Sequence, residues 1–165
     1  MLELLPPLND HNLPWMDTIH PIVVHFVIAM GLITFVFDLI GFLFKKPALY
    51  EVSFWNLLFA TAAIFVAIIF GQVEAGLADP YGASCEILNI HSTIGWSLAG
   101  ILSLLSGWRY VIRSKDPQQL PLGFLGAGAV LSVLIVVQVM LGNQLIWVYG
   151  LHTVKVVSAM REGLI

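Results

Sequence analysis

The chain has 165 residues, enough for one domain, with 59% apolar and only 10% charged residues. Ordinary globular domains are about 45–50% apolar and about 25% charged. Too few polar side chains are therefore available to clothe a small soluble protein, and most of the surface has to face lipid. A net charge of −3 with no Lys/Arg run argues against nucleic acid as a partner.

Residues 1–21 form a polar, proline-interrupted arm, MLELLPPLNDHNLPWMDTIHP. It has no basic n-region ahead of an apolar run, so it is not a signal peptide and the first span is expected to act as its own insertion signal. His11 in this arm reads as solvated. Four segments then have the roughly 20 apolar residues that a bilayer crossing needs. They run Ile22–Phe44, Phe54–Gly71 with a continuation to Glu74, Ser92–Ile112 and Leu122–Leu141. Each is too long for a strand and has no internal turn cluster, so each is a helix. Pro21 suits a first-turn position. KKP at Lys45–Pro47, ADPYG at Ala78–Gly82 and KDP with LP over Lys115–Pro121 punctuate the spans. The fold expected is an all-α integral membrane protein, a four-helix transmembrane bundle over 22–141. The remainder, 142–165, is too short to cross again and, with Trp147, Tyr149, Lys155 and Arg161, suits an interfacial segment folded back over the bundle.

Lys45, Lys46, Arg109, Arg113 and Lys115 cluster around the first and third connections, whereas the arm and the second connection have no Lys or Arg. The positive-inside rule then puts both termini on the non-cytoplasmic side. Tyr50, Trp55, Trp108 and Tyr110 would mark the inner interface, and Trp15, Tyr81, Trp147 and Tyr149 the outer one. Single Cys85 reads as a passive loop thiol, since one cysteine makes neither an internal disulfide nor a multi-cysteine site.

Helices in lipid meet through small residues. Such stripes run along Ser53, Asn56, Ala60, Ala63, Ala67 and Gly71 in the second span, and along His91, Gly95, Ala99, Ser103 and Ser106 in the third. In the first, His20, Val27, Gly31, Thr34 and Asp38 share a narrow sector at about 100° per residue. The fourth carries Gln138 near its outer end. Asp38, deep in the inner half, could pair with Lys45, pair with Arg109, or cap a neighbouring helix.

His20, His25, Glu74, His91 and His152 all fall at the outer level of this topology, and no histidine falls at the inner one. Ionisable groups in a membrane are costly and mark buried or water-lined sites. Three readings stay open. In the first, a b-type haem takes axial imidazoles from His25 and His91, with His20 and His152 as further candidates and Gly95 leaving room for the macrocycle. Against it, His25 lies roughly 140° around the helix from His20 and off the small-residue sector. In the second, His20, His25, Glu74 and His91 bind copper, zinc or iron, although a five-residue spacing cannot chelate from one helical face. In the third, no cofactor is bound: His20 and His91 cap helix starts, Glu74 accepts from Ser92, Thr93 or a ring N–H, and the protein is a scaffold or assembly subunit.

HPIVVHF (His20–Phe26), FGQVEAG (Phe70–Gly76), LNIHSTIGW (Leu88–Trp96) and LGNQLIWVYGLH (Leu141–His152) follow one another along the chain. In this the sequence resembles, over nearly its whole length, an uncharacterised four-helix membrane-protein family whose signature is His-Pro-x-x-Val-His-Phe. The N-terminal LPPLNDHNLPWMDTIHP resembles its cyanobacterial branch. Similar proteins include fusions to Rieske or c-type cytochrome domains and associations with terminal oxidases. The resemblance therefore implies a subunit of respiratory or photosynthetic electron transfer in the plasma or thylakoid membrane. It also implies that His20, His25, Glu74, His91 and, less directly, His152 are the positions to watch. Partners would be lipid, a terminal oxidase or photosynthetic complex, other membrane subunits or a second copy. No Ser/His/Asp set, phosphate loop or HExxH motif is present, so a stand-alone enzyme is not expected.

Overall fold

The computed structural model describes residues 19–77, 80 and 82–151. Four helices account for nearly all of them: α1 (Ile19–Phe44), α2 (Ala48–Leu77), α3 (Ala83–Lys115) and α4 (Leu122–Trp147). All four are long and apolar enough to cross a membrane, and there is no strand among the described residues. Each extends beyond its apolar run. α2 begins six residues before Phe54, and α3 begins nine residues before Ser92, because backbone hydrogen bonding continues where side chains leave the hydrocarbon. Cys85 consequently sits in the first turn of α3 rather than in a loop, exposed, with Sγ 3.3 Å from the Pro80 carbonyl.

The helices form a ring in which α1 packs on α2, α2 on α3, α3 on α4 and α4 on α1, with the α1–α2 contact the most extensive. Diagonal pairs have no Cα atoms within 8 Å. Neighbours alternate in direction: the start of α1 meets the end of α2, and the start of α3 meets the end of α4. The buried residues of α1 are Val27, Gly31, Thr34, Asp38 and Gly41, the sector expected from spacing. Ser53, Ala60 and Ala67 of the α2 stripe are buried, as are Ala99 and Ser106 of the α3 stripe, while Ser103 faces outward. Small residues let neighbours approach: a Cβ added at Gly31 would lie 2.6 Å from Ile135 Cδ1.

The two ends of the ring are closed differently. At the end holding the first and third connections, Arg109 fills the axis. Its Nη2 donates to Asp38 Oδ1 (3.3 Å) and to the Tyr50 carbonyl (3.0 Å), and the Ser53 hydroxyl donates to the same Asp38 oxygen. The guanidinium lies 5.4 Å from the Tyr50 ring centroid and 5.3 Å from that of Phe124, so all four helices contribute. Asp38 thus takes Arg109, one of its three expected alternatives, and Tyr50 is buried in this cluster instead of marking an interface. At the rim, Arg113 grips Glu51 with two hydrogen bonds of 2.8 and 2.7 Å. The opposite end, holding the histidines, is hollow.

Turn chemistry fixes the ends. α4 closes in a left-handed glycine cap: Gly150 adopts φ 63°, its N–H reaches the Ile146 carbonyl (3.0 Å), and the Leu151 N–H reaches that of Leu145 (3.1 Å). Leu151, 1% exposed, packs on Leu145 with Ile87, Leu88 and Tyr149 beside it. α4 therefore runs into the segment expected to be interfacial. The rest of that segment, including His152, lies outside the described residues, as does the N-terminal arm with His11.

Candidate functional site

The hollow end encloses a cavity of about 230 Å³ lined by all four helices. One large apolar residue from each helix lines its deep side: Val27, Ile64, Leu98 and Ile135, all buried. Leu145 and Leu151 line it near the end of α4. Its remaining walls are mostly aliphatic, and the polar side chains set among them are His20, His25, Gln72, Glu74, His91, Ser92, Gln138 and Asn143. A largely apolar hollow with a few convergent polar groups is the usual form of a small-molecule site.

His20 is placed by the tight α1–α2 contact. Its Nδ1 lies 2.7 Å from the Ala67 carbonyl. A carbonyl can only accept, so Nδ1 carries the hydrogen, and in the neutral ring Nε2 keeps a lone pair. The ring rests on Gly71, where an added Cβ would come within 2.8 Å of Cε1. Glycine is therefore required at position 71 for the imidazole to reach its carbonyl. His20 does not cap its own helix, as one reading expected; it ties α1 to α2. Its Nε2 lies 3.9 Å from Glu74 Oε2, beyond hydrogen-bond length but close enough for a charge contact when the ring is protonated. Glu74 is 5% exposed.

His91 and Gln138 form the facing wall. Because α3 begins at Ala83, His91 is eight residues inside the helix and does not open it. Gln138 Nε2 donates to the His91 carbonyl (2.9 Å) and lies 3.2 Å from its ring Nε2. That donation to a carbonyl sets the amide orientation and leaves Gln138 Oε1 buried with no hydrogen-bond donor among the described residues. The His91 ring passes over Gly142, where a Cβ would lie 3.3 Å from Cε1. The space beside Gly95, expected to be open for a macrocycle, is taken by the Gln138 amide: a Cβ there would lie 3.3 Å from Nε2.

The structure thus brings His20 to Glu74, and His91 to Gln138. His25 joins neither pair. It touches the cavity lining, but its ring is exposed and Nδ1 bonds back to the Pro21 carbonyl of its own helix. No group of three or more His, Cys, Asp and Glu side chains close enough to hold a metal ion occurs among the described residues. Gln138 was visible in the sequence as a polar residue near the helix end, but its partner depends on helix rotation, which no local spacing reports.

These features define a four-helix membrane bundle, plugged by an arginine at one end and open around two histidines at the other. The chain belongs to the family described as "Predicted membrane protein (DUF2231)", a domain of unknown function, whose model matches residues 16–155. No curated protein and no solved structure matches the chain.

Proposed function

We propose that this protein is a membrane subunit of an electron-transfer system and that the cavity at its histidine end holds a redox ligand. The observation that carries the reading is the seating of His20: a backbone carbonyl fixes the tautomer so that an imidazole lone pair is presented in an apolar hollow. Holding a ring nitrogen by its partner's hydrogen bond is how proteins prepare histidine for ligation or proton exchange. Apolar surroundings also make every polar contact inside stronger than in water.

Two classes of occupant suit such a hollow. A b-type haem would take His20 from α1 and His91 from α3 as axial ligands and would supply single-electron transfer. His91 would then have to release its contact with the Gln138 amide. A lipid-soluble redox carrier would instead keep both pairs as they are and use them as hydrogen-bond partners. A single metal ion has fewer groups to hold it, since His20 and Glu74 are the one imidazole–carboxylate pair that the described residues bring together here. Orientation with both termini on the non-cytoplasmic side, and partnership with a terminal oxidase, a photosynthetic complex or a second copy, belong to the same proposal.

Purification of the full chain in mild detergent tests it. A reduced-minus-oxidised spectrum reads haem, and organic extraction of the purified protein reads lipid-soluble carriers. A redox ligand near one per chain supports the proposal. Protein free of any redox ligand, in a preparation whose membranes contain both classes, overturns it and leaves a packing subunit.

A further inference from the structure

The ring is sealed unevenly around the histidine end. α4 and α1 are the one neighbouring pair with no connection between them, and their contact is the least extensive of the four. They meet closely nearer the arginine end. An added Cβ at Gly128 would lie 3.3 Å from Phe35 Cδ2, and one at Gly31 would lie 2.6 Å from Ile135 Cδ1. Continued at helical spacing towards the histidines, the same stripes carry Ile28 and Val24 on α1, and Val139 and Asn143 on α4. All four line the cavity. Asn143 and the nearby His25 line it and are also exposed, so the cavity reaches the side of the bundle between α1 and α4. His25 stands roughly 9 Å into α1 at about 1.5 Å per residue. A side opening at that depth faces acyl chains.

Inside, much of the polar lining both donates and accepts: the amides of Gln72, Gln138 and Asn143, and the Ser92 hydroxyl. Glu74 adds a carboxylate, and no Lys or Arg is among the described lining residues. An anionic head would be set against that carboxylate in a poorly solvated space, whereas an uncharged polar head finds hydrogen bonds there. We infer that the cavity takes the uncharged polar head of a hydrocarbon-tailed lipid, whose tail leaves through the α1–α4 seam between Ile28 and Val139. This inference rests on the proposed function and names the class of its ligand. The occupant is a tailed carrier entering sideways from the bilayer, not a haem closed inside the ring.

The test uses the full chain in phosphatidylcholine nanodiscs and a benzoquinone whose decyl tail carries a diazirine at its middle. Irradiation and peptide mapping then show where the tail lies. The expected cross-links fall on Ile28, Val139 and Ile146. An excess of decylbenzoquinone without the diazirine should abolish them. Decyl sulfate, with the same tail and a fixed negative charge, should leave them nearly unchanged. Val139→Trp fills the seam from a half-buried position and should also abolish them, with helix content unchanged. The competition is run on the wild type, so a misfolded variant does not blunt the test. Cross-links spread over the lipid faces of all four helices, or gathered on Ile68 and Trp96 between α2 and α3, overturn the inference. Equal competition by decyl sulfate overturns it as well. If it falls while the purified protein shows a haem band lost in His20→Leu, the electron-transfer reading stands with another ligand; if no redox ligand is found either, both fall.

Discussion

Arg109 Nη2 and Asp38 Oδ1 lie 3.3 Å apart across the diagonal of the bundle, joining α3 to α1, which do not touch through their backbones. Both residues are almost fully buried, 3% and 2% exposed. The guanidinium also binds the Tyr50 carbonyl and lies between two aromatic rings. An ion pair in this setting does little for stability over a well-packed apolar core, but half of it is intolerable. Asp38→Asn or Arg109→Met alone should lower stability by about 3–5 kcal/mol, the cost of a stranded buried charge or its lost partner. The double variant Asp38→Leu with Arg109→Met should recover most of the loss. Denaturant titration in mixed micelles, followed by circular dichroism, measures all three.

Gly71 is the seat of the His20 ring, and an added Cβ would lie 2.8 Å from Cε1. Gly71→Val should push the imidazole off the Ala67 carbonyl and cost about 1–3 kcal/mol, as overpacking does. The chemical shift of the His20 ring nitrogens reads the displacement directly. Unaltered shifts and stability would mean that the ring is not held there.

Gly150 holds φ 63° at the end of α4, where its N–H and that of Leu151 close the last turn. Gly150→Ala should destabilise this cap by about 1–2 kcal/mol, the penalty for placing a Cβ in left-handed backbone. Hydrogen exchange at Val148–Leu151 should speed up while the middle of α4 stays protected. Equal exchange in both proteins would remove the cap from the account.

Orientation is tested separately from the site. A periplasm-active reporter fused after Ile165 should be active, and the same reporter placed in the first connection, beside Lys45 and Lys46, should be silent. The opposite pattern would put the histidine end on the cytoplasmic side.

Much of this fold is legible in the residues, for physical reasons. Lipid forces backbone hydrogen bonds inside each span, so length and apolarity are enough to count helices. Small-residue spacing then shows which faces meet: Val27, Gly31, Thr34 and Asp38 are all buried as their common sector requires. Helix ends are less legible. α3 carries Ser84, Glu86 and Asn89 before its apolar run, and hydropathy ends where the membrane does rather than where the helix does. The site was visible as a level but not as pairs. His20, Glu74 and His91 do line one cavity, whereas His25, equally prominent in the sequence, has an exposed ring bound to its own helix. Which imidazole meets which amide depends on rotations set by long-range packing. No single helix encodes that, and Gln138 gained its importance only through His91 of another element.

The central claim is that His20, and not His25, presents the working imidazole of a ligand-holding cavity. The most direct measurement compares the redox-ligand content, by spectrum and extraction, of purified wild-type protein, His20→Leu and His25→Leu, each with helix content confirmed. The account predicts a ligand in the wild type that is lost in His20→Leu and kept in His25→Leu. A ligand kept in His20→Leu, or lost only in His25→Leu, would contradict it.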